Sequence, residues 1–469
     1  MTISQDARKL AEDPVALFEH SHKRAHELGR AELDQLQLEA LRWRFAELRN
    51  RIGVLTALAD EQDVKDITTF ESVAPLLLAH TVYKSYPVSL ILKKQFSQLT
   101  KWLGRLTTVD LGAVPVDECD SINSWLNAFD QNTALQVTMS SGTSGAVSFL
   151  PRSTREWDRW WRQTRMTLCG AAHADGIDEP DEMYDVVWPT FRRGYTVQYR
   201  TAPWVMKHFA GSEEHFFAMS DEMVSADVLF LAGRLRAANA RGEQLQIEEE
   251  DFRPRLAKFE RMQHEIANGA GAFVDRISGK LGGRRVLSIG APPVLFAMAQ
   301  DGISKGMSGI FEPNSIITTG GGAKGATLPD DWQKIVRDFM GVDRLIDLYG
   351  MSECNGSHVL CGHGRYHIQP WVIPFVLDPD TSAPYPREGV HVGRFAFFDL
   401  TAETYWGGFV SGDEVELDWG GCACGQSSPH LAQNIQRYSE KRGGDDKISC
   451  AAQPEAHAEA INFLNGELV

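Results

Sequence analysis

Thr138-Met-Ser-Ser-Gly-Thr-Ser-Gly-Ala-Val-Ser148 decides how the rest of the chain is read. It continues from Leu135-Gln-Val-Thr-Met139, an apolar run with the composition of a short buried strand, and it crowds hydroxyls and two glycines into a loop. Successive backbone N–H groups converge in such a loop, which is a general way of holding phosphate. A P-loop needs Gly-Lys-Ser/Thr after its glycines, with the lysine on the terminal phosphates; no lysine stands here, which argues against a kinase or GTPase of that type. Taken alone, a Ser/Gly run is either a phosphate loop or a surface turn.

Downstream, short apolar runs each end in a loop of Gly, Pro or polar residues. Tyr184-Asp-Val-Val-Trp188 leads into Pro-Thr-Phe-Arg-Arg-Gly-Tyr195, and Arg285-Val-Leu-Ser-Ile289 into Gly-Ala-Pro-Pro293. Ser315-Ile-Ile-Thr-Thr319 leads into Gly-Gly-Gly-Ala-Lys-Gly325, and Leu345-Ile-Asp-Leu348 into Tyr-Gly-Met-Ser-Glu353. Helical stretches such as residues 332–340 separate them. This alternation predicts an α/β fold with a largely parallel sheet, in which ligands lie beyond the carboxyl ends of the strands, where these loops fall.

Upstream, residues 14–58 read as helix, with Leu36, Leu38, Leu41, Phe45 and Leu48 spaced mostly at three and four. A second helical region covers residues 89–106. Between them Pro75-Leu-Leu-Leu-Ala-His-Thr-Val-Tyr-Lys-Ser-Tyr-Pro87 is an apolar segment in which His80 and Lys84 have either a site role or, more commonly for such residues, a structural one. The expected division is a helical region at 1–130, an α/β nucleotide- and acid-binding core at 131–360, a β-rich subdomain at 361–436 and a short segment at 437–469.

At 469 residues the chain exceeds one ordinary core. Its 47 basic and 63 acidic residues leave a net charge of −16, which argues against a general nucleic-acid or anionic-membrane binder. No leader-like apolar stretch opens the chain and no window approaches a membrane-spanning run, so a cytoplasmic address is expected. Seven cysteines, an odd number with Cys422 and Cys424 close together, suit reduced thiols or metal ligands better than a disulfide framework. Cys361-Gly-His-Gly-Arg-Tyr-His367 and Cys422-Ala-Cys424 offer thiolates and imidazoles in two tight clusters. Cys361, His367, Cys422 and Cys424, with His363 as a substitute for His367, make a tetrahedral zinc set; the other reading is buried free thiols.

The loops, in their order, resemble those of the adenylate-forming (acyl-coenzyme A synthetase-like) superfamily, most closely its phenylacetate–coenzyme A ligase and acyl-protein synthetase branch, over about residues 135–449. The resemblance implies the large N-terminal domain of an adenylate-forming enzyme, with mixed, mainly parallel sheets flanked by helices and a small β-rich subdomain. It makes Ser140, Ser141, Gly142, Thr143, Ser144 and Gly145 the phosphate loop, and places Gly321, Gly322, Ala323 and Lys324 beside the adenine. Tyr349, Gly350, Met351, Ser352 and Glu353 become the adenine and magnesium motif, and Asp413 of Ser411-Gly-Asp413 the ribose ligand. Some relatives in that branch carry a comparable structural zinc.

The implied reaction is ATP- and Mg²⁺-dependent activation of a carboxylic acid as an acyl adenylate, with release of pyrophosphate and then transfer to a thiol or amine. Charge gathers on the phosphates in such a step and must be met by metal, N–H groups and cations. Glu353 would hold the magnesium, and one Asp413 carboxylate accepts from both ribose hydroxyls; a surface turn is the plainer reading of Ser-Gly-Asp. Tyr349 offers a ring for adenine, a hydroxyl for phosphate, or a core tyrosine. Arg437 resembles the arginine before the superfamily's hinge, although its surroundings depart from the usual pattern, and Asp446 and Lys447 are provisional hinge and site residues. The stretch after Arg437 falls short of the roughly 50 residues of a domain, so the usual mobile domain and its lysine are expected to be absent, with one helix near Pro454, Glu455, Ile461 and Leu464 in their place. Lys324 is the candidate substitute cation, or else a solvated loop lysine.

Trp157, Trp160, Trp161, Trp188, Phe191, Tyr195, Tyr199 and Trp204 suit an aryl or other apolar acid if they line a pocket, although the helical spacing of the first three is more common in cores. Arg192 and Arg193 hold a polar group of the acid or a phosphate, or are solvated. The acceptor is coenzyme A, a carrier-protein thiol, a small amine, or an enzyme thiol such as Cys450. The alternatives are a coenzyme A ligase for an aryl acid and a nucleotide-binding module without turnover.

Overall fold

The computed structural model describes residues 3–140, 146–173, 175–242, 249–322, 326–441 and 463–466. The chain forms two compact units, each discontinuous in sequence. One comprises Met1–Thr138, Ser148–Gln163 and Met351–Val469; the other comprises Met139–Val147 and Thr164–Gly350.

The second unit carries a parallel sheet in the order Phe216–Met223, Asp185–Arg193, Val286–Ile289, Ile316–Gly320, Ile346–Tyr349. Every pairing along that path is parallel. The strands are short apolar runs buried on both faces, as parallel strands must be when helices cover them. Helices Glu249–Leu281, Pro292–Ser304 and Trp332–Met340 supply one covering layer. Their Phe273, Ile277, Leu281, Leu295, Met298, Val336 and Phe339 form one core with Val187, Val286 and Ile317 from the strands. Helix 332–340 stops at Gly341, which is left-handed at φ 86° and so needs no Cβ.

The first unit holds a seven-stranded, mostly antiparallel sheet ordered Arg365–His367, His430–Ala432, Gly408–Asp418, Val390–Asp399, Val372–Leu377. Leu78–Ala79 and Gln436–Arg437 also pair with the long strand 408–418. The apolar segment 75–87 thus feeds a two-residue strand into this sheet, in register with Phe409 and Val410.

The N-terminal helical stretch is several helices where the periodicity predicted one. Pro14–Leu17, His22–Glu27, Arg30–Leu48 and Gly53–Glu61 are separate. The first break falls at Glu19 and His20, both left-handed (φ 50° and 59°), after which Ser21 caps the next helix by accepting from the Arg24 amide. Residues 89–106 divide likewise into Ser89–Leu92 and Phe96–Gly104, with Lys94 at φ 56° between them. Neither break has a Gly or Pro to announce it.

Helix Thr154–Ala172 begins on a capping box, in which the Glu156 amide donates to Ser153 Oγ (3.2 Å) and the Ser153 amide to Glu156 Oε2 (2.7 Å). Glu156 is wholly buried, and its other oxygen accepts from the amides of Glu403 (2.7 Å) and Thr404 (3.1 Å), tying the helix start to the loop before strand 408–418. Trp157, Trp160 and Trp161 follow on this helix and are buried, so this aromatic stripe is core. Near the end of the chain, Leu464 is buried and its carbonyl accepts from Arg105 Nη1 (2.9 Å); Pro454, Glu455 and Ile461 lie outside the described residues. No helix among the described residues is long and apolar enough to cross a membrane.

Candidate active site

In the parallel sheet the two sequence motifs sit at strand ends. Strand Ile316–Gly320 runs straight into the glycine segment. A Cβ on Gly320 would lie 2.6 Å from the Leu348 carbonyl of the neighbouring strand, and Gly321 and Gly322 are left-handed (φ 75° and 64°), so this corner requires glycine. Tyr349 closes the adjacent strand Ile346–Tyr349 and is half-buried. Ser140 follows strand Leu135–Met139. Ser141, Gly142, Thr143, Ser144 and Gly145 of the phosphate loop, and Ala323 and Lys324, lie outside the described residues.

The first unit brings three of the remaining residues together. Asp413 is in the middle of strand Gly408–Asp418, in antiparallel register with Arg437, and the Arg437 Nε stands 3.5 Å from Asp413 Oδ1. Ser-Gly-Asp is therefore strand, and the surface-turn reading is overturned. Ser411 anchors it by donating from Oγ to the Phe395 carbonyl (2.7 Å) and accepting from the Asp413 amide (3.1 Å). The Asp413 side chain is 14% exposed and that of Arg437 65%, which leaves a reachable pair of opposite charges.

Glu353 is half-buried and feels both of them. Burial is the largest influence and pushes its carboxyl above the usual range, with Asp413 adding in the same direction; a backbone hydrogen bond, Arg152 and Arg437 pull it back. A carboxyl whose ionised form is under-compensated fits a divalent cation, which would favour that form. After it, the Asn355 amide donates to Asp399 Oδ2 (2.8 Å) and Asn355 Nδ2 to Thr401 Oγ1 (3.2 Å), so the motif leaves the site on fixed partners. Sequence reading missed Arg152, whose Nη2 donates to the Ser352 carbonyl at 2.9 Å. Its one signal was a charged residue inside an otherwise buried strand, Phe149–Ser153.

Arg192 is already paired, with Glu213 Oε1 at 2.6 Å and Asp221 Oδ1 at 3.4 Å, while Arg193 is exposed at a strand end. Trp188, Phe191 and Tyr195 are buried. Burial pushes up the thiols of Cys119, Cys169 (to about 12) and Cys354, so none of these three has the lowered pKa of a nucleophile; Asp446, Lys447 and Cys450 lie outside the described residues.

The second constellation assembles at the other side of the antiparallel sheet's sequence. The ligand atoms of Cys361, His367, Cys422 and Cys424 all lie within 4.8 Å of one another. Cys361 Sγ is 3.9 Å from Cys422 Sγ, near the roughly 3.8 Å edge expected for two thiolates on one tetrahedral zinc, and Cys424 Sγ is 3.2 Å from His367 Nε2. Both thiol loops are tight turns in which the Gly364 and Gly425 amides donate to the carbonyls of Cys361 and Cys422. His367 Nδ1 engages Ser428 Oγ (3.0 Å), which leaves Nε2 for the cluster, and His363 is exposed outside it. Burial, with His430 and His22 nearby, lowers His367 to about 3, so it is neutral as a ligand must be. Burial and the adjacent thiols raise Cys424 to about 12. A divalent cation reverses that penalty, and the set of three thiols and one imidazole fits zinc.

No protein-family model matches the chain, and no curated protein matches its sequence. Among solved structures, it is similar to a 2-hydroxyisobutyryl-CoA ligase in an open conformation in complex with 2-HIB-AMP and CoA, with a TM-score of 0.52, 12% identity, and coverage of 88% of this chain and 76% of the ligase. The same ligase in its postadenylation state also gives a TM-score of 0.52 at 12% identity, over 88% of this chain and 69% of the other. At that identity the likeness is one of fold: this chain shares the mixed α/β architecture of the ligase structure.

Proposed function

We propose that this chain activates a small carboxylic acid with ATP, forming an acyl adenylate and releasing pyrophosphate, and passes the acyl group to a thiol or amine. The observation that carries the reading is the convergence of Glu353 with Asp413 and Arg437 inside a fold shared with adenylate-forming ligase structures.

In this reading Asp413 accepts hydrogen bonds from the ribose, and Arg437 across the ladder holds that carboxylate and meets nucleotide charge. Tyr349 lies along the adenine, and the glycine corner 320–322 lets the backbone approach it. Ser140, Ser141, Gly142, Thr143, Ser144 and Gly145 bind the departing pyrophosphate through their amides and hydroxyls, and Lys324 supplies a cation to the reacting groups. Glu353 is the magnesium ligand; the ion, when bound, neutralises charge on the phosphates. Attack of the acid's carboxylate oxygen on the α-phosphorus breaks the bond to pyrophosphate and leaves the acyl group on AMP. Cys361, His367, Cys422 and Cys424 hold a structural zinc, since four protein ligands leave no open position. Of the aromatic residues after the phosphate loop, Tyr199 and Trp204 are not fully buried and are the ones open to an aryl or other apolar acid.

The acceptor reading is coenzyme A or a carrier thiol, and the fold's likeness to a ligase solved with CoA supports trying CoA first. Mass spectrometry of the chain incubated with ATP, Mg²⁺ and a panel of acids tests both steps. Acyl-AMP without CoA, and acyl-CoA with AMP when CoA is added, support the reading; tight ATP binding with neither product favours a nucleotide-binding module.

A further inference from the structure

Arg152, the fourth residue of strand Phe149–Ser153, is 0% exposed. Its Nη2 donates to the Ser352 carbonyl (2.9 Å) and to Tyr405 Oη (3.3 Å), and Tyr405 Oη in turn donates to the Glu353 carbonyl (3.5 Å). Two consecutive carbonyls that bracket the Glu353 backbone are thus held by one guanidinium and one phenol that also hold each other. The remaining donors, Nε and Nη1, are buried with no hydrogen-bond acceptor. The Arg152 Cζ lies 4.6 Å from the Trp160 ring centroid, 5.0 Å from that of Trp157 and 5.7 Å from that of Tyr405, so aromatic faces surround the cation. No carboxylate among the described residues is in ion-pair contact with it, although Glu353 and Asp399 both feel its charge.

A buried guanidinium with no carboxylate in contact is expensive, and an apolar side chain of the same volume fills an aromatic cage at lower cost. What an apolar side chain cannot do is bond a backbone carbonyl. We propose that Arg152, together with Tyr405, is a positioning residue for Glu353: it fixes the Ser352–Glu353 backbone so that the Glu353 carboxylate is presented to the divalent cation accompanying ATP, without itself touching nucleotide or acid. The inference rests on the metal-binding role given to Glu353 above.

The test measures Mn²⁺ binding by electron paramagnetic resonance in the presence of a non-hydrolysable ATP analogue, alongside binding of the analogue without metal. Tyr405→Phe keeps the ring and removes only the hydroxyl; Arg152→Lys keeps the charge and breaks the fork. With folding checked by near-ultraviolet circular dichroism, both variants are expected to bind Mn²⁺ about 5- to 10-fold more weakly than wild type while binding the metal-free analogue equally well. Arg152→Met is expected to lose more, about 50-fold. Folded Tyr405→Phe and Arg152→Lys with wild-type Mn²⁺ affinity overturn the positioning role. Wild-type protein that binds no Mn²⁺ with the analogue, or Glu353→Gln that binds it as well as wild type, overturns the reading of Glu353 itself, a result distinct from the first.

Discussion

Glu353 and Asp413 carry different burdens although both are acidic and near each other. Burial and Asp413 push the Glu353 carboxyl up, so its ionised form depends on cations. Replacing it with glutamine keeps the size and removes the charge; adenylation is expected to fall by at least ~100-fold, about 2.7 kcal/mol, with ATP binding retained, as read by pyrophosphate release and by equilibrium dialysis. Asp413 is held in a strand with its oxygen near Arg437, which is geometry for binding. Asp413→Asn keeps an acceptor and loses the charge, and the KM for ATP is expected to rise ~10-fold with kcat little changed; a kcat loss at unchanged KM would remove the ribose role. At this scale the motifs around Glu353 and Asp413 were legible because they are short and contiguous, and the structure places both residues in the first unit. Arg152 escaped it, because nothing in Phe-Leu-Pro-Arg-Ser says that the arginine points inward to a carbonyl 200 residues away in sequence.

Two elements of the first unit are fixed by polar contacts. The capping box of helix Thr154–Ala172 uses a buried carboxylate whose neighbours are all donors: the Ser153, Glu403 and Thr404 amides and two hydroxyls. Glu156→Gln puts an amide NH₂ against those donors, and urea unfolding is expected to show a loss of about 2–4 kcal/mol; a change under ~0.5 kcal/mol would mean the carboxylate is dispensable. The paired thiol turns at 361–364 and 422–425 are the second such element. Metal analysis is expected to find about one zinc per chain, and Cys424→Ser or chelation to remove it and lower stability by ~2 kcal/mol or more; metal-free protein with an unchanged melting curve would leave the thiols as ordinary buried groups. Element types were legible here: the helix 332–340 and the parallel strands 185–193, 286–289, 316–320 and 346–349 fall where apolar runs end in Gly, Pro or polar loops, whereas the edge strand Phe216–Met223 did not stand out. Helix breaks at Glu19, His20 and Lys94 were not, because left-handed residues other than glycine leave no mark in composition.

Over the whole molecule, chain order and compact units do not coincide. Met351–Val469 joins Met1–Thr138 and Ser148–Gln163, so the helical N-terminal stretch and the antiparallel sheet share one unit. A reading that proceeds along the chain cannot see this, since it depends on which distant strands pair, as Leu78 does with Phe409. The net charge of −16 places the burden of phosphate binding on local groups, backbone amides and a few cations. Adenylation is tested most simply by isotope exchange of pyrophosphate into ATP, with Mg²⁺, across aryl, aliphatic and hydroxy acids. Exchange is expected to depend on one class of acid, with apolar acids favoured, and to disappear in Glu353→Gln. ATP bound without exchange for any acid would contradict adenylation.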